Sequence, residues 1–92
     1  MDTLEVLGSK PRLEILRHLS RRDMYVSELM DTIGMDGTTA THHFDVLTDA
    51  GLIDSYMEGR RRYYTLVGEV ILEISPSPNR RFIAQFPEHN QE

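Results

Sequence analysis

The chain has 92 residues, of which 39% are hydrophobic and 27% charged, with a formal net charge of −5 and no cysteine. That length suits one small domain and excludes a two-lobed enzyme, and the missing thiols exclude disulfide frameworks, thiolate metal sites and cysteine nucleophiles. No apolar run approaches the roughly 20 residues that span a bilayer, and the N-terminal residues form neither a basic start nor an unbroken apolar segment, so no membrane association is expected and a cytoplasmic location is.

Charge distribution carries more information than the sum. Nine of the ten basic side chains are arginine, and they cluster with Lys10 as Arg12, Arg17, Arg21 and Arg22, then Arg60, Arg61 and Arg62, then Arg80 and Arg81, while the fifteen carboxylates are scattered. Clustered arginine on an acidic body can still offer a basic face to a phosphate backbone.

Thr3 to Leu7 contains Leu4, Val6 and Leu7, enough for one or two helical turns that must pack on something to persist. From Lys10 to Ser20, Leu13, Ile15, Leu16 and Leu19 recur at helical spacing, with Pro11 in the first turn, where a missing N–H costs nothing. Met24-Tyr25-Val26 predicts a short extended stretch, and Ser27 an N-cap for a helix through Glu28, Leu29, Met30 and Ile33 that stops at Gly34. Asp36 is a second N-cap. It opens a helix over 37–50 with Ala40, Phe44 and Leu47 inward and Gly51 as its stop. Two helices separated by three or four residues predict a helix-turn-helix.

The period then changes. Leu52 to Met57 and Arg62 to Val67 are rich in β-branched and aromatic residues and flank Glu58-Gly59-Arg60-Arg61, which predicts a hairpin wing over 58–62. Tyr63 and Tyr64 then point to opposite faces, one into the core and one free to reach a phosphate. Glu69 to Ile74 reads as a strand more readily than as two helical turns, because β-branched residues dominate and Ser75-Pro76-Ser77-Pro78 follows. The expected fold class is α+β: a winged helix-turn-helix of three or four helices plus a β-hairpin, occupying residues 1–74. A C-terminal extension over 75–92 offers Phe82, Ile83 and Phe86 as apolar material, with a polar, frayed end from Pro87 to Glu92.

The segments Lys10-Pro11-Arg12-Leu13-Glu14-Ile15-Leu16, Thr39-Ala40-Thr41-His42-His43-Phe44-Asp45-Val46-Leu47, Ala50-Gly51-Leu52-Ile53 and Glu58-Gly59-Arg60-Arg61-Arg62-Tyr63-Tyr64-Thr65-Leu66 follow one another in an order and spacing that resembles the ArsR-type winged helix-turn-helix transcriptional regulators. The resemblance covers roughly residues 4–67. It implies a homodimer that binds operator DNA and represses, as members do that often release the DNA when a metal or other signal binds. Metal-sensing members place cysteines where this chain has Tyr25-Val26-Ser27-Glu28-Leu29, so a thiolate sensor is excluded. Members also commonly end in a long pairing helix, which the proline-interrupted segment after Glu69 replaces; small archaeal members look more similar in that respect.

In such a fold the second helix enters the major groove. The outward residues Thr38, Thr39, Thr41 and His42 are the expected base contacts, since hydroxyls and imidazole can bond base edges and threonine methyls can meet a thymine methyl. The alternative for the threonines is that they only cap the helix. Arg60, Arg61 and Arg62 are the expected contacts to backbone or minor groove, against the alternative of a solvated charge cluster. Asp45 opposes this role: with Asp36 and Asp49 it makes the recognition helix acidic, so affinity would come from the wing, or the helix would instead serve a protein partner. His42 and His43 point about 100° apart and do not converge on a metal; His43 is expected to be structural, turned towards the wing or the preceding helix. Arg12 and Arg17 could touch the DNA backbone at its edges, but helix-surface arginines more often pair with neighbours such as Glu14 or hydrate. No phosphate loop or nucleophile turn is present, so an enzyme is not expected, nor a cofactor or a metal. Surplus apolar residues at both ends (Leu4, Val6, Leu7, Val70, Leu72, Ile74, Phe82 and Phe86) favour a two-fold homodimer on double-stranded DNA.

Overall fold

A computed structural model describes residues 2–86, so the expectation for Pro87 to Glu92 lies outside the described residues. The element order is α1 (Thr3–Leu7), α2 (Lys10–Leu19), β1 (Met24–Tyr25), α3 (Val26–Ile33), α4 (Gly37–Asp49), β2 (Ile53–Glu58), β3 (Arg61–Leu66), β4 (Ile71–Ser75) and β5 (Arg81–Gln85).

Local chemistry explains most of these boundaries. Asp2 and Glu5 close a reciprocal capping box on α1, each carboxylate accepting the other residue's backbone N–H at 2.9 Å. Ser9 caps α2, with Pro11 in the first turn. Helix α3 starts at Val26 behind Tyr25, two residues earlier than an N-cap at Ser27 would have set it. The Glu28 carboxylate reaches back to the backbone N–H of Tyr25 at 3.4 Å, which leaves Ser27 inside the first turn. Gly34 ends α3 with a φ of 78°, a left-handed conformation that side chains rarely adopt. Three residues later α4 begins behind Asp36, whose side chain accepts the N–H of Thr39 at 2.9 Å.

The core comes from every layer of the N-terminal two thirds: Val6, Ile15, Leu19, Met24, Leu29, Ala40, Phe44, Leu47, Leu52 and Ile53 are all buried. At roughly 1.5–3 kcal/mol for each large side chain removed from water, this set supplies the main driving force. Strand β3 lies in the centre of a three-stranded antiparallel sheet of order β1-β3-β2. The β2–β3 register pairs Glu58 with Arg61, leaving a two-residue turn in which Gly59 takes a φ of 64°. Met24↔Tyr64 and Tyr25↔Tyr63 add β1 to the other edge.

The last part of the chain is a second hairpin. Of the stretch Glu69 to Ile74 read as a strand, Ile71 to Ile74 are extended in β4, whereas Glu69 and Val70 precede it; β4 pairs with β5 alone, from Ile71↔Gln85 to Ser75↔Arg81. Residues 74 and 75, between which the sequence reading divides the chain, both lie in β4. Alternation puts Leu72, Ile74, Phe82 and Ala84 on one face; Leu72, Ile74 and Phe82 are 51%, 67% and 65% exposed.

Candidate nucleic-acid interface

Helix α4 divides as its periodicity requires. Ala40, Phe44 and Leu47 are buried, whereas Thr38, Thr39, Thr41, His42 and Asp45 are exposed. Thr38, Thr41, His42 and Asp45 stand at i, i+3, i+4 and i+7, one continuous stripe along the solvent side. Thr39 lies beside that stripe and is engaged at the helix start: its backbone N–H and its side chain both bond the Asp36 carboxylate, which holds Asp36 below the usual carboxylate range. Thr39 thus carries part of the capping role, and the other two threonines are the freer hydroxyls.

The wing is positioned by its contact with α4. On the inner face of the sheet the Tyr64 ring lies 4.5 Å from the Phe44 ring, and burial raises the Tyr64 phenol above its ordinary value, with Arg62 lowering it and Asp45 raising it. Tyr64 is therefore the inward member of the tyrosine pair, flanked by one charged residue from the wing and one from α4. By the same alternation Arg62 faces the α4 side, where it donates to the Ser55 hydroxyl at 3.0 Å.

Arg61 goes the other way. Its guanidinium lies 4.2 Å above the Tyr25 ring on the outer face. There Tyr63 meets Tyr25 edge-on at 5.6 Å and stacks on Tyr56 at 5.5 Å. The Tyr56 hydroxyl donates to Asp23 at 2.6 Å, which pushes the phenol up to about 12. Tyr63 is accordingly part of a tyrosine cluster instead of a free hydroxyl beside the recognition helix. The three adjacent arginines separate: Arg60 at the tip, Arg62 towards α4 and Arg61 on the far side.

The remaining basic residues have other surroundings. Arg22 pairs with Glu28 at 2.6 Å, and that bond holds Glu28 low. Arg12, expected on the surface, is only 8% exposed. Its Nε donates to the Val6 carbonyl at 2.6 Å, one terminal nitrogen to the Glu5 carbonyl at 3.1 Å, and the other lies 3.1 Å from Nδ1 of His43. His43 is thus turned towards α2, not towards the wing or α3, and only the spatial approach of positions 31 residues apart brings this pair together. Among the described residues no group of three or more histidine or acidic side chains is arranged to hold a metal ion. Among them, too, no helix is long and apolar enough to cross a membrane.

A pair of helices joined by three residues, a third helix behind them and a β-hairpin wing stitched to β1 define a winged helix-turn-helix. The family description of a helix-turn-helix domain matches residues 7–56, more than half of the chain. The HTH-type transcriptional regulator Rv0324 of Mycobacterium tuberculosis is 31% identical over 70 residues, 76% of this chain and 31% of that protein. The uncharacterized HTH-type transcriptional regulator MJ1325 of Methanocaldococcus jannaschii is 28% identical over 74 residues, 79% of this chain and 83% of that one. Among solved structures, the homodimeric winged helix-turn-helix DNA-binding domain of a possible ArsR-family regulator from Mycobacterium bovis is similar with a TM-score of 0.64 and 32% identity, covering 67% of this chain and 57% of that one. The chain belongs to the ArsR-type winged helix-turn-helix regulators. It spans about a third of the length of Rv0324.

Proposed function

We propose that this chain binds double-stranded DNA as a homodimeric transcriptional regulator, with α4 in the major groove and the wing along the backbone or in the minor groove. One observation carries the reading: α4 leaves Thr38, Thr41, His42 and Asp45 exposed, and Asp45 of that stripe and Arg62 of the wing both act on the Tyr64 phenol, whose ring packs on Phe44. A helix that reads bases needs hydrogen-bonding side chains free of the core, and a flanking cation needs to meet the phosphates beside it. Thr38, Thr41 and His42 would read base edges, with Thr39 contributing less because its side chain bonds Asp36. Asp45, Asp49 and Asp36 place no positive charge in the groove, so affinity comes from Arg60 and Arg62.

The dimer rests on the C-terminal hairpin. A two-stranded hairpin is marginal by itself in water, and this one leaves Leu72, Ile74 and Phe82 more than half exposed on one face. Covering that face with a second copy would place two wings for a two-fold symmetric site. The test is fluorescence anisotropy against duplexes selected from a random pool by the intact chain, compared with a mixed-sequence duplex. Preferential binding of the selected duplexes is expected; absence of binding to any duplex at low salt would overturn the reading in favour of a protein partner on the acidic helix.

A further inference from the structure

The buried Arg12 is unexplained by DNA contact, since its guanidinium is turned inward, and by core packing, since a charge in the interior must be compensated. Its partners give the explanation. Helix α1 has only five residues, too few to persist alone, and no basic residue in its last turn to meet its terminal carbonyls. Arg12 reaches across from α2 and supplies that cation, bonding the Glu5 and Val6 carbonyls. The remaining end of the same guanidinium meets Nδ1 of His43, which accepts only when the imidazole is neutral with its proton on Nε2. Burial, followed by the charges of Arg12 and His42, lowers the His43 value and favours that neutral form.

We propose that Arg12 and His43 are positioning residues for the recognition helix: the guanidinium ties the C-terminal carbonyls of α1 to one flank of α4 and so fixes the rotation of α4 about its axis. The inward residues Ala40, Phe44 and Leu47 seat α4 against the core, but apolar contacts are non-directional, whereas a hydrogen bond weakens steeply off its axis. His43 follows His42 directly, so a rotation that breaks the tie also turns Thr38, Thr41 and His42 away from the base edges. The tie also couples α1 to α4, so that displacement of the N-terminal helix is felt at the recognition stripe. This inference rests on the DNA-binding reading above for its functional consequence, and on the tie alone for the coupling.

The test uses the full chain with His43→Asn, which keeps an acceptor near the Nδ1 position, His43→Leu, which removes it, and Arg12→Lys, which keeps the charge but loses the fork of donors. Each is compared for the ratio of affinities on the selected and mixed-sequence duplexes. A charge-assisted buried bond corresponds to about a tenfold change or more; His43→Leu and Arg12→Lys should lose that much of the ratio with the salt slope unchanged, and His43→Asn should keep most of it. Amide hydrogen exchange is the second readout. The Val6 amide, bonded to the Asp2 carbonyl at 3.0 Å, should lose protection in His43→Leu together with the amides of Ala40 to Phe44, and keep it in His43→Asn. A folded His43→Leu chain with an unchanged ratio and unchanged α1 protection would overturn the proposal, as would an Asn variant that behaves like Leu in both. If the intact chain binds no duplex, the DNA reading fails by itself, and the exchange result still decides the tie.

Discussion

Replacing one wing arginine at a time separates their roles, because alternation along β3 sends neighbours to opposite faces. Arg62→Ala removes a cation on the α4 side, and Arg61→Ala one that lies over the Tyr25 ring on the other. Each phosphate contact contributes about 0.9 to the slope of log K against log salt, so a dimer losing Arg62 from both subunits should have its slope flattened by about 1.8. Between about 50 and about 200 mM salt, a fourfold change or about 0.6 log units, that difference amounts to roughly a tenfold larger loss of affinity for the intact chain than for the variant. Fluorescence anisotropy on one mixed-sequence duplex at four or five salt concentrations measures it directly. Arg60→Ala should flatten the slope like Arg62→Ala, and Arg61→Ala should leave it unchanged while lowering the melting temperature through loss of the Tyr25 contact. A slope flattened equally by Arg61→Ala and Arg62→Ala would show that the three arginines act as one mobile cluster and refute the division by face.

Four other outcomes follow from the same geometry. Phe44→Ala removes a buried ring that touches Tyr64 and should cost about 3–5 kcal/mol in denaturant unfolding. Gly34→Ala places a Cβ in open space but at a φ of 78°, so it should destabilise by about 1 kcal/mol from backbone strain alone. The folded-state value of His43 is depressed below 6.5, so the unfolded chain takes up that proton first. The stabilisation is therefore complete above about pH 6.5 and is lost as pH falls through the folded value; melting temperatures over pH 5 to 8 should show a steeper acid decline for the intact chain than for His43→Asn. Phe82→Asp puts a charge on the apolar face of the second hairpin and should shift the sedimentation coefficient from dimer to monomer, whereas the exposed Asn79→Asp should not.

Features governed by neighbours in the chain are legible in the sequence alone. Asp36, Gly34 and Pro11 act through bonds or dihedrals within four residues of themselves, and the period of α4 decides which of its side chains are buried, so Ala40, Phe44 and Leu47 follow from pattern alone, whereas on α2 the period holds for Ile15 and Leu19 but not for Leu13, which is 48% exposed. The opposite facing of Tyr63 and Tyr64 is legible too, by alternation along the strand, whereas Arg61 reads as part of the turn until its pairing with Glu58 puts it in β3. The start of α3 is not. Ser27 and Tyr25 are both compatible with a helix beginning there, and the Glu28 carboxylate selects Tyr25.

Only the tertiary structure decided where Arg12 and His43 belong. An arginine beside a glutamate on an amphipathic helix carries no local sign of burial; its compensation comes from two carbonyls of another helix and an imidazole on a third. The outer tyrosine cluster is of the same kind, since Tyr25, Tyr56 and Tyr63 come from three strands and meet only when β1 joins β3. Caps, turns and periodicity are short-range, so they are written in consecutive residues; the compensation of a buried charge and the assembly of a ring cluster depend on distances between segments, which exist only once the chain has folded.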